Sequence, residues 1–390
     1  MLKGYRAHVA INAHLLSGLA SYRSAGVHQY IYHLLQHLDG VGYSLRYTAL
    51  LGDGRLPEGT ALPVQRTRWP TGRVPVRIIW EQVVQPSVLR RIGADLLHAP
   101  AFVGPLWSPC PFVVTIHDLS FIRFPHLFRP ANRLYLTVMT RLSARRAKRL
   151  IAVSAHAATE TTHLLGVPAE RVDVVYHGAD PAFRPLPAPS VADFRQRHGL
   201  PERFVFFVGT LEPRKNLVRL VEAFARVREP GILLVLAGGK GWLYDELFAR
   251  VEALGLQDRV LFPGYVAAEE LPWWYNAATV VAYPSVYEGF GLPVIEAQAC
   301  GAPVLTSNCS SLPEAAGDGA VLVDPYDVEA IAAALHRLLT NEPWREMWRT
   351  RGLAHARRFR WPRTAQETAR VYLRAAGFSD APFDIEGTEP

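Results

Sequence analysis

A chain of 390 residues, 49% apolar and 20% charged, is too long for one ordinary core and has the composition of a globular protein with two. Three cysteines, Cys110, Cys300 and Cys309, without a C-x-x-C pair support neither a disulfide framework nor a zinc site. The formal charge of +7 is unevenly shared, with 20 Lys and Arg against 10 Asp and Glu in residues 1–180 and 22 against 25 in residues 181–390, so the first half is suited to an anionic surface or substrate.

The opening residues, Met1 to Leu16, are interrupted by Lys3, Arg6, His8, Asn12 and His14, which is no pattern for a secretory leader. The longest apolar runs, such as Gly231–Ala237, have the length of a strand and not of a membrane span. A cytoplasmic protein, at most peripheral to the inner face of the cell membrane, is the expectation. Short runs rich in Val, Ile, Leu and Phe then alternate with amphipathic stretches, as in parallel sheets covered by helices. Strands are expected near His8–Ile11, Tyr43–Leu50, Ala94–His98, Phe112–His117, Arg149–Val153 and Arg171–Tyr176, with helices near Gly26–Leu38, Val76–Arg91, Pro130–Arg146 and Ala155–Leu165.

The proline-rich stretch Pro181–Pro189 breaks the pattern and reads as a linker. The alternation restarts with strands near Phe204–Val208, Gly231–Ala237, Arg259–Phe262, Thr279–Tyr283, Pro303–Thr306 and Val321–Val323. The expected organisation is a first α/β domain over 1–184, a second over 185–360, and a helix over 361–378 crossing back to the first.

The segment richest in chemistry is Ser285-Val-Tyr-Glu288-Gly-Phe-Gly-Leu-Pro-Val-Ile-Glu296-Ala. It follows a strand and opens a helix near Pro293, a position where proline is well tolerated. Such a turn lies at the carboxyl end of a parallel sheet, where ligands bind. Gly289 and Gly291 admit close backbone approach, and the helix start offers N–H groups to an anion. Glu288 is placed to accept hydrogen bonds from sugar hydroxyls, and Glu296 to accept both hydroxyls of a ribose. Arg214 and Lys215 follow another strand at the mouth of a helix near Asn216, an arrangement suited to a diphosphate whose charge grows as a glycosidic bond breaks. No D-x-D and no metal-ligand spacing of His, Asp or Glu occurs, and P-loop and dinucleotide fingerprints are absent.

The 285–297 string resembles the donor-site signature of glycosyltransferase family 4, a retaining family of GT-B fold. Ala302-Pro-Val-Leu-Thr-Ser and Leu312-Pro-Glu-Ala-Ala-Gly-Asp-Gly-Ala resemble its continuation, and Phe207-Val-Gly-Thr-Leu-Glu-Pro-Arg214-Lys215-Asn216-Leu its phosphate-binding turn. Val153-Ser-Ala-His and Val175-Tyr-His-Gly-Ala-Asp extend the likeness to the end of the first domain. A departure is Thr210, where several members carry a further arginine. The resemblance implies two Rossmann-like doubly wound parallel-sheet domains, and transfer of a hexose, mannose by mild preference, from a nucleoside diphosphate sugar as co-substrate. The acceptor implied is a hydroxyl of a glycan or lipid-linked glycan. It also implies retention by a front-face route in which the departing phosphate takes the acceptor's proton, with no metal and no other cofactor.

By the same resemblance the donor meets Arg214, Lys215, Glu288, Gly289, Phe290, Gly291, Leu292 and Glu296, with backbone contact from Gly26, which otherwise caps the helix it opens. His117, at the end of its strand, lies near the reacting sugar. Asp118 either orients the acceptor or caps the next turn. Between Phe121 and Arg149 stand eight basic residues and no acidic one, interleaved with Phe124, Leu127, Phe128, Leu134, Tyr135, Leu136 and Val138. They form either a solvated arginine-rich helix or a surface for an anionic membrane. Alternative activities are those of a GT-B phosphorylase, a sugar-nucleotide epimerase, or a non-catalytic glycan- or nucleic-acid-binding protein. No nucleic-acid recognition motif accompanies the basic half, so nucleic acid is not an expected partner.

Overall fold

The computed structural model describes residues 7–16, 26–41, 43–239, 241 and 245–378. The chain divides into two compact units, one of residues 1–178 with 361–390, the other of 179–360. The first holds a seven-stranded parallel sheet of β1 (Ala7–Asn12), β2 (Leu45–Leu51), β3 (Val64–Arg66), β4 (Leu96–Ala99), β5 (Phe112–Ile116), β6 (Arg149–Ala152) and β7 (Val172–Val174), in the order β3-β2-β1-β4-β5-β6-β7. The second holds six parallel strands, β8 (Phe204–Val208), β9 (Leu233–Ala237), β10 (Val260–Gly264), β11 (Val280–Tyr283), β12 (Val304–Ser307) and β13 (Val321–Val323), ordered β10-β9-β8-β11-β12-β13.

In each sheet the strand order reverses beside the first strand, between β1 and β4 and between β8 and β11. The crevice outside the carboxyl ends there is where such sheets take ligands. Strands such as Phe204-Val-Phe-Phe-Val are apolar without alternation because helices cover both faces, and Phe204, Phe206 and Phe207 are fully buried. Trp274 stacks on Phe206 at 5.4 Å, which fixes its short helix to the core.

Three features depart from the sequence expectations. Strand β3 was not foreseen, since Val64-Gln-Arg66 is short, half polar and at the sheet edge. The helix expected over Val76–Arg91 runs from Val74 to Ile92 and contains a π-helical turn, Trp80–Val84. Pro86 has no N–H to bond the carbonyl four residues back, and the wider turn just before it absorbs that loss. The unit boundary falls at 178/179, ahead of the 184/185 expected, because the proline-rich stretch is pinned to the second unit. Leu186 N donates to Asn276 Oδ1 at 2.8 Å, and Asn276 Nδ2 donates to Arg184 O at 2.9 Å.

The helix Trp361–Ala376 completes the first unit. Tyr372 OH meets His98 Nδ1 at 2.7 Å, Thr364 Oγ1 donates to Tyr176 O at 2.7 Å, and Trp361 packs on His33 at 4.7 Å and His177 at 5.5 Å. His98 Nε2 and the Tyr30 hydroxyl both meet Thr115 Oγ1, at 2.8 and 3.1 Å. Burial drives His98 down to about 3 and holds His117 and His177 below the ordinary 6.5, so all three rings are neutral.

A lowered folded-state value means the stabilisation is complete above the unfolded value of 6.5 and is lost progressively below it. Each such ring costs stability below that point until its own folded-state value is reached. Between pH 7 and pH 5, opening free energies from hydrogen exchange should therefore fall for peptides of β4 to β6. Unchanged values across that interval would contradict the neutral-histidine core.

Candidate active site

Strand β8 ends at Val208, and its chain turns through Gly209 beside the end of β9. A Cβ on Gly238, at φ +143°, would stand 1.8 Å from the Gly209 carbonyl oxygen, so only glycine lets the two turns approach. A 3₁₀ turn over Pro213–Lys215 then leads to Asn216, which is left-handed at φ +61° and precedes the helix Leu217–Arg226. The Asn216 side chain donates to Pro284 O at 3.1 Å and Pro325 O at 2.6 Å and accepts from Arg219 at 2.9 Å, which offsets its backbone strain.

The turn after β11 comes to meet this one, with Val286 N donating to Arg214 O at 2.9 Å. Lys215 Nζ lies 2.5 Å from Glu288 Oε1 and donates to the Tyr283 hydroxyl at 2.7 Å. Both charged partners are buried, Lys215 at 6% exposure and Glu288 at 8%. Arg214 Nη1 stands 3.9 Å from Glu288 Oε2, and its Nε is bonded to Glu212. Burial pushes the Glu288 carboxyl up, but Lys215 and Arg214 together outweigh it and hold the group below its usual range.

Two hydroxyls shape the Glu288 turn from the loop after β12. Ser310 Oγ donates to Glu288 O at 2.7 Å and accepts from Glu288 N at 3.0 Å, while Ser311 Oγ lies 2.9 and 2.8 Å from the carbonyls of Glu288 and Phe290. Gly291 stands at φ +115°, a backbone conformation that side chains rarely adopt, and a Cβ there would come within a tight 3.0 Å of Leu312 Cδ2. The helix opens at Leu292 with Pro293 in its first turn. Phe290 points into the core against Phe359, at 5.5 Å, so any ligand contact from Gly289, Phe290, Gly291 or Leu292 is chiefly that of backbone at a helix start. Glu296 accepts from Tyr275 OH at 2.9 Å and is raised to about 7 by burial, with Asp180 adding and the Tyr275 bond opposing.

The remaining sequence candidates belong to the first unit. His117 is buried and its Nε2 meets Pro100 O at 2.7 Å. A neutral ring donating there carries its acceptor nitrogen at Nδ1. Tyr30 at 5.0 Å and a parallel His177 at 5.8 Å hold the ring. Asp118 Oδ1 accepts from Ser120 N at 2.9 Å and Ser120 Oγ at 2.7 Å, a local turn just ahead of the helix Ser120–Arg123, whose cap position is Leu119. Gly26, at φ +65°, precedes the helix Val27–Leu38 and accepts from Tyr30 N at 2.9 Å; the loop before it, including Gly18 and Ser24, lies outside the described residues. Sequence reasoning missed Tyr283, Glu212, Ser310, Ser311 and Tyr275, and used Asn216 only to mark the phosphate turn and the start of its helix. Glu212 alone carried a visible signal, two positions before Arg214.

Two parallel-sheet units of this strand order, the second carrying a cation–carboxylate cluster at its reversal point, have the architecture of the GT-B class, and similarity to known proteins makes the chain a glycosyltransferase of the hexosyltransferase type. The description "Glycosyltransferase Family 4" matches residues 24–183 and "Glycosyl transferases group 1" matches residues 191–355. O-antigen chain mannosyltransferase B of Escherichia coli is 36% identical over 74% of this chain and 76% of its own length. The chain belongs to glycosyltransferase family 4. It is also 30% identical over 56% of its length to the serotype-specific mannosyltransferase WbdA of Escherichia coli, of which it spans 28%. Among solved structures, the sucrose-phosphate synthase of Thermosynechococcus elongatus shares the fold at a TM-score of 0.76 and 23% identity, over 95% of this chain and 99% of that one.

Replacing Lys215 with Met leaves the Glu288 carboxylate buried without its main partner, which costs about 3–5 kcal/mol. Adding Glu288→Gln in the same chain should recover part of that loss, because the uncompensated charge goes. Urea unfolding of both variants measures this, and a double variant less stable than Lys215→Met would contradict the pairing.

Proposed function

We propose that the enzyme transfers a hexose, mannose by preference, from a nucleoside diphosphate sugar to a hydroxyl of a glycan or lipid-linked glycan, with retention at the anomeric carbon. The observation that carries this is the meeting of Arg214 and Lys215 with Glu288 at the end of β8 and β11, with Glu296 a turn further on. An ammonium has three donors, and Lys215 spends two on Glu288 and Tyr283, which leaves one for a phosphate oxygen. Arg214 and the N–H groups at Leu292 add positive potential where a diphosphate would gather charge as it leaves. The departing phosphate then accepts the acceptor's proton on the same face. His117, neutral with an acceptor at Nδ1, suits a sugar hydroxyl. The sugar preference rests on the similarity to an O-antigen chain mannosyltransferase.

Cations in the chain take the role that a metal plays elsewhere, so no cofactor is invoked beside the co-substrate. Transfer should continue at its full rate in excess chelator, and loss that added metal restores would overturn this part.

The helix Pro130–Arg146 exposes Leu134 and Val138 at 65% and 43%, among exposed Arg129, Arg133, Arg141, Arg145 and Arg146. With no acidic residue between Phe121 and Arg149, this surface suits the anionic face of a membrane. Among the described residues no helix is long and apolar enough to cross one.

The two glutamates divide the donor between them. Glu296→Gln should weaken nucleoside diphosphate binding about tenfold or more, since two charge-assisted hydrogen bonds are lost. In the native enzyme that affinity should rise with pH up to about 7 and then level, because only the ionised carboxylate takes both ribose hydroxyls. Glu288→Gln should instead lower turnover while moving nucleotide affinity little. Calorimetric titration across pH, beside transfer rates, separates the two. A Glu288 variant that lost nucleotide binding while the Glu296 variant kept it would reverse the assignment.

A further inference from the structure

The ammonium of Lys215 and the carboxylate of Glu288 meet against a third side chain, Tyr283, which ends strand β11. Its ring is 2% exposed and is clamped from both neighbouring strands. Phe207 of β8 lies nearly parallel to it, 5.5 Å away at an interplanar angle of 12°. Thr306 of β12, paired with Tyr283 in register and fully buried, donates its hydroxyl to the Tyr283 carbonyl at 2.8 Å. Most buried side-chain hydroxyls bond backbone or water, whereas this one is spent on two charged groups.

The bonds of the three groups close on one another. Lys215 Nζ lies 2.5 Å from Glu288 Oε1 and 2.7 Å from the Tyr283 oxygen. Burial, and after it the Glu288 charge, push the phenol well above its ordinary range, so it keeps its proton and bonds Glu288 with it. Lys215 thus donates to both partners, Glu288 accepts from both, and the tyrosine does one of each.

What the hydroxyl adds follows from the chemistry of lysine. The ammonium is a point charge on a flexible four-carbon stem, and a single bond to a carboxylate leaves it free to swing around that oxygen. A second oxygen, carried by a ring that cannot move, triangulates the nitrogen and gives its third N–H one direction. Without the hydroxyl, cation and carboxylate would satisfy each other alone, and a ligand would have to separate them. A charge that must reorient as a bond breaks stabilises less than one already in place.

We propose that Tyr283 is a positioning residue for transfer: its hydroxyl holds the Lys215 ammonium with the third N–H toward the leaving diphosphate, and its proton keeps Glu288 from being taken up by the lysine alone. This rests on the reading of Arg214 and Lys215 as the diphosphate site, and it places the benefit in the transition state rather than in donor binding. Tyr283 acts through Lys215 and has no need to touch the donor.

Tyr283→Phe removes one oxygen and keeps the ring that stacks on Phe207. A panel of nucleoside diphosphate hexoses supplies the donor, taken as the one that the native enzyme turns over fastest. In the variant kcat should fall about tenfold, one charge-assisted hydrogen bond in the transition state, while the donor KM moves less than about twofold. A raised KM with kcat unchanged would make the hydroxyl a ground-state binding group, and no change in either would make it a core tyrosine; both overturn the proposal. A second measurement needs no donor. The chain has four lysines, Lys3, Lys148, Lys215 and Lys240, so the ammonium resonances of isotope-labelled lysine are few, and that of Lys215 is the one lost in Lys215→Arg. It should be sharp and slow to exchange in the native protein and broadened in Tyr283→Phe. Fast exchange in the native protein, or equal sharpness in both, would overturn the proposal. Native enzyme that released no nucleoside diphosphate from any donor would instead overturn the transfer reading, and the resonance would still decide how the lysine is held.

Discussion

The site of the second unit depends on one ion pair, Lys215 with Glu288, formed between loops that leave the sheet at adjacent strands. Burying both charges costs more than a bare contact returns, and the pair persists because its surroundings are fully arranged. Asn216 in a left-handed conformation fixes the lysine loop, Ser310 and Ser311 fix the glutamate loop, and Tyr283 meets the ammonium from the strand below. The stabilisation lost to desolvation is held as fixed positive potential, which does not have to reorganise when charge develops on a ligand.

The two units apply the same topological rule to opposite electrical ends. The first half of the sequence is strongly basic, yet the cluster at its strand ends is made of neutral imidazoles packed on Tyr30 and Trp361. The second half is slightly acidic, yet its strand ends concentrate cations. Net charge therefore describes the outer surfaces, where arginines cover the helices, and says nothing of the pockets, where burial sets protonation.

What the sequence made legible follows from this. Two doubly wound sheets, the last helix as a helix, and the group Arg214, Lys215 and Glu288 could be read because each is encoded locally, whereas the return of that helix to the first unit rests on contacts such as Tyr372 with His98 that lie far apart in sequence. Apolar runs mark buried parallel strands, and glycine, proline and carboxylate at fixed offsets mark a ligand turn. Residues that act across the sheet could not be read. Tyr283 sits in an apolar strand like any core tyrosine, and Ser310 and Ser311 lie more than twenty positions from the turn they hold. Glu296 was legible as a carboxylate on the right helix, but its raised value depends on Tyr275 and Asp180. The π turn was hidden because Pro86 only weakens a helix, and the choice between a kink, a stop and a widened turn is made by packing.

The helix Trp361–Ala376 gives the fold an order in time. The first unit is discontinuous in sequence: its sheet is complete at Val174, but His98 lacks Tyr372, and His33 and His177 lack Trp361, until the helix has been translated. The second unit is continuous from 179 to 360 and has all its strands before that helix leaves the ribosome. During synthesis the amino-terminal unit therefore waits, with an open aromatic face, while the later unit closes. The contacts of Trp361 and Tyr372 that cover the imidazole cluster form last.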